Sequence, residues 1–199
     1  MEVKVLSERG YSEALFGIGL SYGITSKMSF NELIELKTDT SGFWKNDSKN
    51  LYEKLDSVAH KLYNKDGGHN KFLESIMVWL DINAPRYWHQ EMDTYRVGTT
   101  KQSSSTIHTI TKRHLTQDDF EQPILDSYLE YLNNLIDSGA TKKEIKNALP
   151  EGFLQRRIMC TNYKTLRNIC HQRKNHAIDL WDYFIKELKS QLDYPEFLE

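Results

Sequence analysis

The sequence predicts a mixed α and β fold dominated by helices. Three observations carry that expectation. Short β-branched or alternating runs are interleaved with longer segments of helical periodicity. Glycine, proline and capping residues punctuate the boundaries. No internal repeat or low-complexity block interrupts the order. With 199 residues the chain is long enough for a sizeable core, and one domain spanning residues 1–199 is expected. Hydrophobic residues at 39% and charged residues at 27% give a globular rather than a disordered balance.

The opening MEVKVL alternates Val3 and Val5 with charged neighbours and predicts a short strand. SEALFGIGLSYG predicts a short helix ending near Gly17 or Gly19, and residues 24–50 a partly helical, exposed connection. Leu51, Leu55, Val58 and Leu62 share a helical face that stops at Gly67-Gly68. FLESIMVWLDI reads as a buried strand with Ile76, Val78 and Leu80 on one side and Met77 and Trp79 opposite. A helix follows from about Pro85, because proline is tolerated in a first turn.

The β-branched TIHTIT predicts a strand. Phe120, Ile124, Tyr128, Leu132 and Leu135 lie at helical spacing in a segment that closes on Gly139. Thr141 with Glu144 forms a capping-box pair for a short helix ending by Pro150. FLQRRIMCT predicts another strand, Asn162 an N-cap, and the next helix runs through Arg173. Ile178, Trp181, Ile185, Leu188 and Leu192 mark the face of a last helix.

A net charge of −2 argues against broad nucleic-acid binding, which needs a cationic face, though it leaves room for a local basic pocket. Cys160 and Cys170 belong to no CxxC or His-rich cluster, so a reduced cytoplasmic setting without a metal site is expected. No signal-like segment and no run long enough to cross a bilayer is seen, and the mature chain is expected to start at or near Met1.

The stretch from Ala84 to Thr109, APRYWHQEMDTYRVGTTKQSSSTIHT, sets Arg96 before a run of hydroxyls around Lys101 and Gln102. A guanidinium fork with the N–H groups and hydroxyls of Ser103, Ser104 and Ser105 could bind an anion. Such loops are also common solvated turns, and basic residues on helices, here Lys146, Lys164 and Arg173, are commonly solvated. His69 follows two glycines, an arrangement that lets a flat ligand approach. Ser104 has no evident base and no GxSxG elbow, so nucleophilic catalysis is not expected of it.

These separated signals occur in one order, and that order resembles the flavin-dependent thymidylate synthases. GGHNKFLESIMVWLDINAPRYWHQEMDTYRVGTTKQSS resembles the family's Gly-His, its strand ending in Ala-Pro, and its R-H-R followed at fixed spacing by Ser. Here these are Gly68-His69, Ala84-Pro85, Arg96 and Ser104. DSGATKKEIKNALP and RRIMCTNYKTLRNICHQR resemble a second block of the family, and GLSYG a third. The resemblance runs from about Tyr11 to Phe184.

It implies an α+β fold, a twisted, mainly antiparallel sheet flanked by helices, in a homotetramer whose active sites are shared between subunits. It places His69 and Ser21 beside the flavin, with Tyr95, Arg96, Asn162, Lys164 and Asn168 around the cofactor. Glu91, Gln102, Ser103, Ser104, Ser105, Lys146 and Arg173 fall where the family holds its nucleotide, and Arg173, His69 and Arg96 where it has its catalytic groups. The implied cofactor is FAD, with methylenetetrahydrofolate and NADPH as co-substrates and a pyrimidine nucleotide, dUMP or a variant such as dCMP, as acceptor of a one-carbon unit at C5. No nucleic-acid or membrane partner is implied.

Departures are specific. Thr94 and Tyr95 replace the first two residues of R-H-R, Thr106 an arginine on the phosphate, Gln102 a glutamate and Glu91 a glutamine. A phosphate losing one charge-assisted contact gives up roughly 1.5–3 kcal/mol, unless Lys101 or Arg86 compensates. These departures also fit a second reading, a catalytically inactive relative that binds nucleotide or serves as an oligomeric interaction protein.

Overall fold

The computed structural model describes residues 1–38, 46–65 and 67–199. Its frame is a four-stranded sheet in the order β1-β2-β4-β3, with every pairing antiparallel. The strands are β1 (Glu2–Arg9), β2 (Met77–Pro85), β3 (Thr100–Ser103) and β4 (Leu154–Asn162). Alternation on β2 is as expected, but the strand begins at Met77, just after Ile76, and only one of its faces is buried. Val78, Leu80, Ile82 and Ala84 are sealed in the core, while Trp79 on the other face is 41% exposed.

Helices α1 (Tyr11–Ser21), α2 (Phe30–Thr38), α3 (Asn46–Leu62), α8 (Tyr163–Arg173) and α9 (Leu180–Gln191) surround the main core. Leu55 of α3 is fully buried, with Val58 and Leu62 packed against the cluster. The helix stops at Leu62, short of the glycines at 67 and 68. Residues 39–45 of the expected connection lie outside the described residues.

Helix α1 runs through both glycines expected to end it. Gly19 is there for close approach, since a Cβ on it would lie 2.4 Å from Thr25 Cγ2. The terminator is Gly23, left-handed at φ 68°, after which the Ile24 N–H donates to the Gly19 carbonyl at 2.9 Å.

Helix α4 (Arg86–Met92) starts on Pro85, whose extended backbone occupies the cap position. The hydroxyl stretch after it is an edge strand rather than a loop. β3 pairs with the outer edge of β4, from Thr100 opposite Cys160 to Ser103 opposite Arg157. The segment TIHTIT, expected as a strand, holds instead the single turn α5 (Thr106–Thr109). The Ser105 carbonyl takes N–H bonds from His108 and Thr109 and the Thr109 hydroxyl at 2.8 Å, while β3 already occupies the sheet edge.

Phe120 also lies outside its expected helix, bridging to Phe153. Pro123 has no N–H and restricts the residue before it, so α6 begins only at Asp126 and runs to Asp137. Helix α7 (Lys142–Ala148) carries the predicted capping box, Thr141 with Glu144. Leu132, Ile145, Leu149, Phe120 and Phe153 form a second, smaller apolar cluster beneath α5, α6 and α7.

Candidate functional site

Two places gather the residues singled out by sequence. The first is a cleft of about 720 Å³ between α1 and the Gly67–Ser75 segment. Ser21, the last residue of α1, lines it together with Tyr22, Gly67, Gly68, His69 and Lys71. Gly67 and Gly68 have φ of 73° and 86°, and a Cβ on either would meet nothing within 4 Å. The glycines therefore serve backbone conformation and leave the wall beside His69 open.

Beneath His69 the chain is anchored. Asn70 is fully buried, donates to the Tyr63 carbonyl at 3.1 Å, and accepts from the Lys164 ammonium. Lys164 thus ties α8 to the residue between His69 and Lys71 of the cleft wall. Asn162 caps α8, accepting from the Thr165 N–H at 2.9 Å, and its amide nitrogen would lie 2.5 Å from a Cβ on Gly98. Asn168, one turn along α8, accepts from Gln172 at 3.1 Å.

The second place is built around Arg173 at the C-terminal end of α8. Its Nε donates to the Tyr95 hydroxyl at 2.8 Å and its Nη1 to Glu91 Oε2 at 2.7 Å. The guanidinium carbon sits 4.6 Å from the centre of the Trp181 ring, and Trp181 Nε1 donates to the same Glu91 oxygen at 2.7 Å. His176 joins the cluster as well: its Nδ1 accepts the Ile178 N–H at 3.2 Å, and its Nε2 lies 3.0 Å from Arg173 Nη1 and 3.7 Å from Glu91 Oε2. Arg173 is 15% exposed and Glu91 30%, so this is a half-buried, charge-assisted cluster.

The remaining residues are dispersed. Arg96 is exposed, with no side-chain partner among the described residues. Gln102, Ser103, Ser104 and Ser105 are exposed on and beyond β3. The Ser104 N–H already donates to the Arg156 carbonyl at 2.9 Å, which removes one donor from the expected anion cradle. Lys101 is held by Asp93 at 2.7 Å and Arg86 lies 3.4 Å from Glu151, so neither cation stands free to replace the missing arginine at Thr106. Lys146 lies on α7 and is half-buried. Among the described residues no hydrogen bond or ion pair joins Arg96, Ser104 or Lys146 to Arg173.

Sequence reading missed Trp181 and His176 as parts of the Arg173 cluster, and Tyr22 and Lys71 as cleft walls. Only His176, three residues beyond Arg173, carried a local signal. His89 lies apart from both places. It is buried, its Nε2 donates to the Gln155 carbonyl at 2.8 Å, and its Nδ1 has no partner. Desolvation pushes its pKa down to about 4, opposed by that hydrogen bond, so the ring is neutral. Among the described residues no group of three or more His, Cys, Asp or Glu is placed to hold a metal ion, and no helix is long and apolar enough to cross a membrane.

No protein-family model matches the sequence, and no curated protein matches it. Solved structures do match. The crystal structure of the flavin-dependent thymidylate synthase ThyX from Helicobacter pylori complexed with FAD and dUMP superposes with a TM-score of 0.73 at 17% identity, covering 100% of this chain and 98% of that one. The fold is that of a flavin-dependent thymidylate synthase. A second Helicobacter pylori ThyX structure with FAD and dUMP gives a TM-score of 0.72 at 17% identity, over 99% of this chain and 96% of the other. The resemblance found in short motifs is thus matched by a likeness of fold that covers 100% of this chain.

Proposed function

We propose that this chain is a divergent flavin-dependent thymidylate synthase-like enzyme acting on a pyrimidine nucleotide. One observation carries the reading. A chain with the full-length backbone of an FAD- and dUMP-binding enzyme keeps an open Ser21–His69 cleft and a separate guanidinium cluster at Arg173. The cleft suits a large planar cofactor in three respects. Its volume of about 720 Å³ is within the range of cofactor sites, its glycine wall is bare, and hydroxyl, imidazole and ammonium groups line it.

In this reading Ser21, His69 and Lys71 line the flavin site, with Lys164 positioning the loop beneath it through Asn70. Tyr95, Arg96, Asn162 and Asn168 complete its surroundings. When bound, reduced FAD would supply the hydride, methylenetetrahydrofolate the one-carbon unit, and NADPH the reducing equivalents. Arg173, oriented by Tyr95 and Glu91, polarises a pyrimidine carbonyl, an interaction that strengthens as charge develops on the ring. The Ser103–Ser105 hydroxyls, Gln102 and Lys146 contribute to holding the nucleotide.

Because Arg96, Ser104 and Lys146 do not reach Arg173 within one chain, the reading includes a homotetramer in which neighbouring protomers complete each site. Two free cysteines fit a reduced, cytoplasmic setting.

The test is a tritium-release or mass-spectrometric assay of one-carbon transfer to C5 of dUMP or dCMP, with FAD, methylenetetrahydrofolate and NADPH. Turnover is expected in the wild type, and its loss in Arg173→Ala with folding retained. Unchanged turnover in that variant rejects the role of Arg173. A colourless protein that ignores added FAD favours the inactive, nucleotide-binding or oligomeric interaction reading instead.

A further inference from the structure

The carboxylate of Glu91 is used on one side only. Oε2 receives both Arg173 Nη1 and Trp181 Nε1, each at 2.7 Å. Oε1 has no partner among the described residues, and it is not one of the buried unpaired atoms, so solvent reaches it. The same holds for Arg173 Nη2, since Nε serves Tyr95 and Nη1 serves Glu91 and lies 3.0 Å from His176 Nε2. The cluster therefore has one solvent-accessible acceptor, Oε1, and one solvent-accessible donor, Nη2, without a partner among the described residues.

We propose that Glu91 is a specificity-determining residue for the nucleotide base. Its Oε1 accepts an N–H from the pyrimidine edge while Arg173 Nη2 donates to an acceptor on the same edge. This rests on the reading of the cluster as the base-binding part of the enzyme. A uracil ring offers N3–H beside a carbonyl, and a cytosine ring offers its exocyclic amine beside N3, so both present the required pattern.

The geometry makes the role directional. Arginine and the indole nitrogen are donors only, so whatever occupies the Oε2 position has to be an acceptor. In Glu91→Gln the amide oxygen must take that position, which turns the amide NH2 outward where Oε1 was. The outward group changes from acceptor to donor with no change in side-chain size. A purely structural ion pair would show no such inversion in ligand preference.

The experiment is calorimetric titration of wild type and Glu91→Gln, with FAD present, using dUMP, dCMP, dUMP methylated at ring N3 and dCMP dimethylated on its exocyclic amine. For whichever parent nucleotide binds, the wild type should bind the methylated counterpart at least about tenfold more weakly, because an acceptor that the bound base covers is left unpaired. Glu91→Gln should lose about tenfold for the parent and retain less than about threefold discrimination between the members of the pair. Deoxyribose 5-phosphate, which lacks the base, should bind both proteins alike.

A wild type that binds a parent and its methylated counterpart equally overturns the proposal without need of the variant. Full discrimination surviving in Glu91→Gln overturns the assignment to Glu91 and leaves the proposed enzyme standing. Failure of the wild type to bind either parent overturns both.

Discussion

Removing the Arg173 guanidinium should cost the fold a measurable and predictable amount. Arg173→Ala takes away a 2.7 Å bond to Glu91, a 2.8 Å bond to the Tyr95 hydroxyl and the cation over Trp181. Among the described residues it leaves Glu91 with Trp181 Nε1 as its one hydrogen-bonded donor. A charge-assisted hydrogen bond contributes about 1.5–3 kcal/mol and a partly exposed cation–π contact about 0.5–1 kcal/mol. Because Glu91 is 30% exposed, water recovers part of the loss. A net destabilisation of about 2 kcal/mol follows, well inside the roughly 5–15 kcal/mol that holds a domain together.

Glu91→Gln removes the charge but keeps an acceptor for both donors, so its own cost is smaller, about 1 kcal/mol. The double variant has neither the cation nor the unpaired carboxylate, and should fall short of the summed single effects by about 1 kcal/mol. Urea unfolding at pH 7 reads this as midpoint shifts with an unchanged slope. Strict additivity of the two single variants would refute the cluster as described.

The buried neutral His89 makes stability depend on pH. Its folded pKa, about 4, is below the unfolded value near 6.5, so the unfolded chain takes up the proton first. Its contribution is complete above about pH 6.5 and drains away towards pH 4, by up to about 3 kcal/mol; His89→Gln should show a shallower decline in the same range by chemical unfolding. Gly19→Ala should destabilise by about 1–3 kcal/mol, because its methyl would meet Thr25, which is itself pinned by a 2.9 Å bond to the Phe16 carbonyl. Gly17→Ala, whose Cβ meets nothing within 4 Å, should be neutral or stabilising in the same thermal melt. Thr141→Ala should cost about 1 kcal/mol by releasing the capping box of α7.

What the sequence revealed and concealed divides by the range of the interaction responsible. The Thr141–Glu144 box, the Asn162 cap and the alternation of Val78, Leu80 and Ile82 depend on neighbours a few residues away, and each has the predicted form. β3 was hidden because its side chains are polar and exposed, so only backbone bonding to β4 makes it a strand. α5 was misread because β-branched residues favour strands only where a partner edge is free. Phe120 had helical spacing, and Pro123 overruled it.

The site divides in the same way. Gly67, Gly68 and His69 are adjacent in sequence, while Ser21 was named only through the family resemblance; the structure brings them to one cleft. The Arg173 cluster joins residues 82 and 90 positions apart in its bonds to Glu91, and no local pattern announces Trp181 as a partner. The family resemblance located Glu91 and Arg173 separately. Their mutual contact emerges only when α4, α8 and α9 pack together.

The most direct measurement is a crystal structure of the assembled protein with FAD and dUMP or dCMP. The account predicts the isoalloxazine in the cleft of Ser21 and His69, with a pyrimidine edge against Arg173 and Glu91 of the same or a neighbouring protomer. Ligand density that avoids that cleft, or a base bound away from every Arg173 in the assembly, would contradict it.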